Sequence, residues 1–500
     1  MKRRNFLLNT AIGGAMVFIP SPMLAFQNWV TTNYFEYGVA SGDATQKSII
    51  LWTRISDDSS SSVEVQWQVS KALNFDRIVA SGTAHTNKER DYTIKIDCED
   101  LEPNTSYFYR FIYKNYNSVT GSFKTLPNEL TTDIQLAIVS CNNYEDGYFN
   151  SFRNIANQDE ISYVCHLGDY IYEYETLGYG NAAFVAKSNR VNDPLHEIVT
   201  LDDYRKRYKL YRSDKDLQLI HQKKAFYCMW DDHELANNAY VEGAKNHQPN
   251  EGDWEVRKQA ALQAYFEWMP VRATNVQEMI RKVHINSDCQ ILFLEERLDG
   301  RSKQFPKQAV ELNDETRKLI SDKQFHWIKN NLLEKNYRWN IVMNQVMFTG
   351  YSLPNSNTTK DVDWWTGYPQ QRNDLVNVFS QMENPPVIIT GDHHQAHILQ
   401  LKDDKQNILA YEFLTPSITS KNDDRLLEVE VQKKQKQLYE HNPHVVYSNT
   451  NAHGYFILKV SKENLVFDYR YTDTILEITN KEHQGPLLQL SRDNKLRKHV

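Results

Sequence analysis

The chain has 500 residues, 40% of them hydrophobic and 24% charged, which exceeds one ordinary core and points to two or three domains of globular composition. Its 57 basic and 64 acidic side chains give a formal charge of -7. An acid excess of this kind disfavours a general polyanion binder and a stable nucleic-acid partner.

Residues 1–25 read as a twin-arginine export signal. Lys2, Arg3 and Arg4 make a basic start, Ala11 to Phe18 is a soft apolar stretch, and Met23-Leu24-Ala25 is a small-residue cleavage site. The apolar run is too short to span a bilayer, so no transmembrane anchor is expected. Export by the twin-arginine translocase, folded, to the periplasm or beyond is the implied route. Cleavage would remove three basic residues and no acid, leaving 54 against 64 and a charge of -10. Cys98, Cys141, Cys165, Cys228 and Cys289 are odd in number and widely spaced, so they do not form a disulfide scaffold. A free thiol is then available as a ligand.

Residues 34–126 read as β. Short runs at 48–53, 63–69, 92–96 and 106–111 carry strand-type residues, several with period two, and Pro103-Asn104 separates two of them. Their number and spacing suggest an immunoglobulin-like sandwich ending near Thr125-Leu126-Pro127-Asn128. Its expected role is to pack against a catalytic core.

From residue 133 the pattern becomes α/β, and this catalytic region is expected to run to residue 482. Four apolar strands end in ligand-type residues: 134–139 before Ser140-Cys141, 161–167 before Gly168-Asp169, 225–230 before Asp231-Asp232-His233, and 386–390 before Gly391-Asp392-His393-His394. Strand carboxyl ends are where α/β enzymes place chemistry, and four such ends are expected to converge at one edge of a sheet. Stretches 256–269 and 322–334 read as helices. Residues 483–500 are a charged tail, read as a surface helix or an unstructured end.

The converging set is Cys141, Asp169, Asp232, His233, Asp392 and His394, with Tyr172 three residues after Asp169. Two metals roughly 3.5–4 Å apart can clamp a phosphoryl group and activate water, with Asp169 as the natural bridge. Thiolate, phenolate and imidazole suit an iron-like or zinc-like ion, and carboxylates and amide oxygens a hard ion such as calcium. Asn237 and Asn238 serve equally as helix-end residues or as one amide ligand; His393 and His397 read as structural or supporting. Other chemistries lack their motifs. His233-Glu234-Leu235-Ala236-Asn237 has Asn where a zinc protease needs its second His, and neither a G-x-S-x-G elbow nor a phosphate-binding G-x-x-x-x-G-K-[ST] loop occurs.

With these residues in place, the sequence resembles the alkaline phosphatase D (PhoD) family of calcineurin-like metallophosphoesterases. The resemblance is carried by Tyr37-Gly38-Val39-Ala40-Ser41-Gly42-Asp43, Ser140-Cys141-Asn142-Asn143-Tyr144, His166-Leu167-Gly168-Asp169-Tyr170-Ile171-Tyr172-Glu173, Trp230-Asp231-Asp232-His233-Glu234, Thr390-Gly391-Asp392-His393-His394 and Glu412-Phe413-Leu414-Thr415-Pro416-Ser417. It implies a two-sheet αββα sandwich. It also implies Fe3+ held by Cys141, Asp169, Tyr172 and His394, and Ca2+ held by Asp169, Asp392, one of Asn237 or Asn238 (Asn238 preferred) and Asp232. His233 would face the phosphate or leaving group, and Arg297 would contact phosphate or serve as an ion-pair partner. The implied reaction is hydrolysis of a small phosphate monoester by metal-activated hydroxide, releasing inorganic phosphate. Phosphodiesterase or phospholipase-D-like activity is the alternative within the family, and a non-catalytic surface-binding protein is the alternative outside it. One block departs from the family: Leu294-Glu295-Glu296-Arg297 stands where Leu-Asp-Thr-Arg is usual, which opens the question of what surrounds Arg297.

Overall fold

The computed structural model describes residues 34–57, 62–129, 133–334, 337–354 and 361–498. The export signal expected at 1–25 lies outside the described residues. Among the described residues no helix is long and apolar enough to cross a membrane.

Two large sheets face each other. The ten-stranded sheet has at its centre the parallel strands Ile134–Val139, Tyr163–His166 and Ala225–Cys228. All three are buried, as apolar runs covered on both faces must be. The seven-stranded sheet is built around Cys289–Phe293, Trp339–Asn344, Val387–Thr390 and Ile408–Leu414, again parallel. The inner faces meet through side chains such as Phe413 and Phe467, whose rings stack at 3.6 Å. Outside the seven-stranded sheet, helices Asp322–Leu333 and Pro369–Phe379 bury Ile328, Leu332, Leu375 and Phe379 against Leu292, Val342 and Ile388. Helices Leu201–Ser213 and Lys215–Lys223 lie against the ten-stranded sheet, where His221 stacks on Phe226 at 3.9 Å. This is the four-layer αββα arrangement.

The strand-end convergence differs from the sequence expectation in one respect. Three of the four chemistry-bearing strands lie in the ten-stranded sheet, but Val387–Thr390 belongs to the facing one. The site therefore forms across the seam between two sheets. Sequence shows a strand's end but not which sheet it joins.

The N-terminal region is all-β, with strands between Val39 and Lys124. Its sandwich is not self-contained. Val39–Gly42, Ile49–Arg54 and Thr93–Cys98 continue the ten-stranded sheet, through parallel pairing of Ser41 with Ala225 and Gly42 with Phe226. Gly42 is required there, because a Cβ would sit 2.0 Å from the Pro270 carbonyl oxygen. The other strands form a five-stranded sheet. Trp52 fastens the region to the helix Trp254–Trp268: its indole donates to the Glu267 carbonyl at 2.8 Å, and Arg212 lies 4.2 Å over its ring. The change of pattern at 125–128 thus marks a change of role within one hydrophobic core.

The C-terminal tail also departs from expectation. Glu482–Ser491 and Leu496–Lys498 are strands on the edge of the ten-stranded sheet, so a boundary at 482/483 falls inside a strand. Leu488 and Leu490 are its well-buried side chains, and the polar remainder hides the strand from a hydropathy reading.

Candidate metal centre

Each strand end makes a sharp turn toward the seam. Cys141, Asp169, Asp392 and His394 all adopt left-handed backbone conformations, with φ of 59°, 57°, 56° and 64°. Such conformations cost an ordinary residue roughly 1–2 kcal/mol, so surrounding structure must impose them. The imposed contacts are visible. Cys141 N–H donates to the Gly168 carbonyl and Asn142 N–H to the Asp169 carbonyl, tying the first two strand ends together. Gly168, at φ 106°, lets the next loop approach: a Cβ there would lie 2.4 Å from the Asp231 Cβ. The buried Glu234 carboxylate then accepts the N–H groups of Asp169, Tyr170 and Asp231 at 3.0, 2.7 and 2.9 Å.

The result is two adjoining groups of ligand-type atoms. In the first, ligand atoms of Cys141, Asp169 and His394 lie within 4.8 Å of one another. The Tyr172 phenol is 3.1 Å from Asp169 Oδ2 and 3.3 Å from His394 Nε2. His394 Nδ1 donates to the Lys421 carbonyl at 2.8 Å, which leaves the Nε2 lone pair to the group. In the second, Asp231, Asp232 and Asp392 come within 4.8 Å, and Asp232 joins Asp169 and His233 at the same spacing. Asp169 links the two groups.

These residues fit metal ions on their own chemistry. The first group offers sulfur, nitrogen, phenol and carboxylate; the second offers oxygen alone. Burial, then the Asp169 charge, pushes the Cys141 thiol and the Tyr172 phenol well above their ordinary ranges. Burial, then Asp363, pushes Asp392 up to about 7. Asp231 Oδ2 is buried without a hydrogen-bond partner. Protons and an orphaned oxygen at one cluster of buried donors are what a cation would displace or satisfy.

His233 stands beside both groups. Its Nδ1 lies 2.7 Å from Glu173 Oε2, and its ring stacks on Tyr172 at 4.2 Å. Burial works against its positive charge, but Glu173, Asp232 and Asp169 outweigh burial and raise its pKa well above the ordinary value. Of the two candidate amides, Asn237 N–H donates to Glu173 at 2.7 Å and Asn238 N–H to Asp232 at 2.6 Å, so both are placed by their backbone. His393 and His397 stand apart from the ligand groups, in contact with Tyr351 and Gln395.

Arg297 stands among carboxylates. It is fully buried, bonded through Nε to Asp231, with Asp363, Asp392 and Asp232 at 2.8, 3.2 and 3.4 Å. The departing glutamates explain its setting. Glu295 accepts the Arg297 and Leu298 N–H groups and the Trp230 indole N–H. Glu296 accepts N–H groups of Gln345, Val346 and the Trp365 indole, each at 2.9 Å. Both therefore brace the loop under Arg297 by hydrogen bonds, as buried carboxylates must.

Four structural partners were not singled out from sequence: Glu173, Glu234, Asp363 and Ser420. Ser420 Oγ is 2.5 Å from the Tyr172 phenol and 2.8 Å from the Cys141 carbonyl. Glu173 and Glu234 lie inside the quoted motifs, so their position next to Tyr172 and His233 was the available signal.

Comparison with known proteins bears on the family and the fold. The family model of the PhoD-like phosphatases matches residues 136–469, and that of their N-terminal domain matches 22–127. Alkaline phosphatase D of Bacillus subtilis (strain 168) is 31% identical over 470 residues, covering 89% of this chain and 78% of the relative. A solved structure of PhoD superposes with a TM-score of 0.84 at 29% identity, covering 94% of this chain and 93% of that one. The purple acid phosphatase PPD1 from yellow lupin seeds shares the fold, with a TM-score of 0.55 at 13% identity over 87% of this chain and 72% of that one. By sequence over most of its length and by the architecture around its ligand groups, this chain belongs to the PhoD-like phosphatase family.

Proposed function

We propose that the chain is an exported, metal-dependent phosphoesterase that hydrolyses phosphate monoesters and releases inorganic phosphate. The observation that carries this is Asp169, which stands in one group with Cys141 and His394, beside the Tyr172 phenol, and in another with Asp232 and His233, Asp232 in turn belonging to the all-oxygen group with Asp231 and Asp392. Cys141, Asp169, Tyr172 and His394 would hold ferric iron. Asp169, Asp232, Asp392 and Asn238 (or Asn237) would hold calcium. Bound there, such cations supply positive charge to the phosphoryl oxygens and acidify water.

The chain's own residues do the rest. Glu173 engages His233 through Nδ1, so Nε2 is the nitrogen available to give a proton to the leaving oxygen. Arg297 holds Asp231, Asp232 and Asp392 together and positions them without touching substrate. Glu234 fixes the turn that carries Asp169. Export to the periplasm or beyond rests on Lys2, Arg3 and Arg4 and the short apolar run behind them.

The test is initial hydrolysis of p-nitrophenyl phosphate and bis-p-nitrophenyl phosphate by protein purified with iron and calcium. Faster monoester cleavage supports the proposal. Faster diester cleavage reassigns the enzyme as a phosphodiesterase with the same site. No turnover of either by metal-loaded protein overturns it.

A further inference from the structure

Beside the ligand groups is a cation that the proposed chemistry does not use. Lys421 Nζ sits 3.7 Å from the centre of the Tyr179 ring. Tyr179 stacks on Tyr172 at 5.5 Å, so the ammonium lies one ring beyond a residue of the first ligand group. Its backbone is pinned to the site at two points: the Lys421 carbonyl accepts from His394 Nδ1, and its N–H donates to Asp146 Oδ2 at 3.2 Å.

The neighbouring carboxylate is already used. Asp146 binds Arg425 through Oδ1 and receives Asn143 Nδ2 at 3.0 Å. Among the described residues no ion pair engages the half-buried Lys421 ammonium. A cation–π contact seats an ammonium for about 0.5–1 kcal/mol but leaves N–H donors for an anion. Lys421 is therefore a cation beside the ligand groups with donors left for an anion.

We infer that Lys421, seated on Tyr179, forms a subsite for a second anionic group, carboxylate or phosphate, on the alcohol portion of the ester. The inference rests on the phosphoesterase reading and narrows its substrate class. The ammonium rests on Tyr179, which stacks on Tyr172 of the first ligand group, so with the scissile phosphoryl group at the ligand groups the anion it meets belongs to the leaving group.

The experiment compares glycerol 3-phosphate with 3-phosphoglycerate, which differ in a hydroxymethyl against a carboxylate. Metal-loaded enzyme is assayed for kcat/KM on both, and binding of both is measured by calorimetry. The expected wild-type preference for 3-phosphoglycerate is about tenfold in each measurement, the scale of one charge-assisted hydrogen bond. Lys421→Met should bring the ratio to about one, and Lys421→Arg should retain most of it, with iron and calcium content equal in all three proteins. Glycerol 1,3-bisphosphate, with a phosphate where 3-phosphoglycerate has its carboxylate, should be preferred over glycerol 3-phosphate in the same way, and that preference should also be lost in Lys421→Met. A wild-type ratio near one, or a Lys421→Met ratio as large as wild type, overturns the subsite and leaves the phosphatase reading standing. A binding preference lost in Lys421→Met, with no turnover of any ester, supports the subsite and overturns the phosphatase reading.

Discussion

Glu173 Oε2 lies 2.7 Å from His233 Nδ1, and both side chains are buried. Glu173 also receives the Asn237 N–H at 2.7 Å and Asn246 Nδ2 at 2.9 Å, so one carboxylate orients the imidazole and the loop after it. Glu173→Gln keeps the shape and removes the charge. Supporting partners of this kind are worth about 10–100-fold. The expected result is a fall of that size in kcat on p-nitrophenyl phosphate, with iron and calcium content unchanged. An unchanged kcat would remove His233 from the proton-transfer role.

Glu234 is the brace under Asp169. Glu234→Ala leaves the N–H groups of Asp169, Tyr170 and Asp231 without their acceptor in a buried turn. Each orphaned donor costs about 1–3 kcal/mol. Denaturant unfolding should show a loss of about 3 kcal/mol or more. A loss below 1 kcal/mol would show that the turn is held by other contacts.

The residues that meet at the seam were legible because they follow apolar strands, where an acid, thiol or imidazole has no packing reason to stand. Strands such as Ile134–Val139 were legible for the same reason: the sequence 134–139 is apolar enough to be covered on both faces. What was hidden depends on contacts distant in sequence. Arg297 meets Asp363 and Asp392, 66 and 95 residues away, and nothing local distinguishes such an ion pair from a phosphate contact. Glu295 and Glu296 look like surface acids in sequence, yet both are buried acceptors. The edge strand Glu482–Ser491 lacked a signal because pairing along Asn464–Thr472, not an apolar face, fixes it.

The first ligand group makes a spectroscopic prediction. Phenolate on ferric iron absorbs visible light, so iron-loaded protein should be coloured. Tyr172→Phe should lose the phenolate part of the visible absorption while keeping its iron, and the thiolate absorption that remains, through Cys141, Asp169 and His394. Chelation should lower the unfolding midpoint of the wild type, since a ligand bound only by the native state stabilises it. Asp169→Asn, which alters the shared ligand, should abolish that shift. An iron-loaded, fully active, colourless protein would exclude Tyr172 as an iron ligand.

Lys224 gives a pH prediction away from the site. It is 5% exposed, and its ammonium donates to the Gln158 and Ile161 carbonyls at 2.6 and 2.7 Å. Burial lowers its pKa from 10.5 to about 8. Below pH 8 it is charged in both folded and unfolded chains, and the full burial cost opposes folding. Between 8 and 10.5 the unfolded chain holds more protons, so stability rises with pH as that cost disappears. Wild type should therefore gain up to about 3 kcal/mol relative to Lys224→Met across this window. Parallel stability curves for the two proteins would show that the two carbonyls cancel the burial cost.

Arg297 separates positioning from catalysis. Two roles are compatible with an arginine beside a phosphate site, and they predict different damage. An arginine that touches phosphate can be lost with the fold intact, and activity alone suffers. Arg297 instead neutralises the buried Asp231 and Asp232 and the half-buried Asp363 and Asp392, so Arg297→Met leaves four carboxylates crowded without their cation. Breaking a buried pair costs about 3–5 kcal/mol because the remaining charge is uncompensated. The variant should unfold at clearly lower denaturant than wild type. Its deficit should shrink as pH falls from the alkaline side toward 7, since Asp392, held at about 7 with Arg297 beside it, takes up its proton at higher pH once that cation is gone. Added calcium should recover part of the loss, because a cation among the same oxygens replaces some of the missing charge. Arg297→Met with wild-type stability and no activity would instead return Arg297 to direct contact with phosphate.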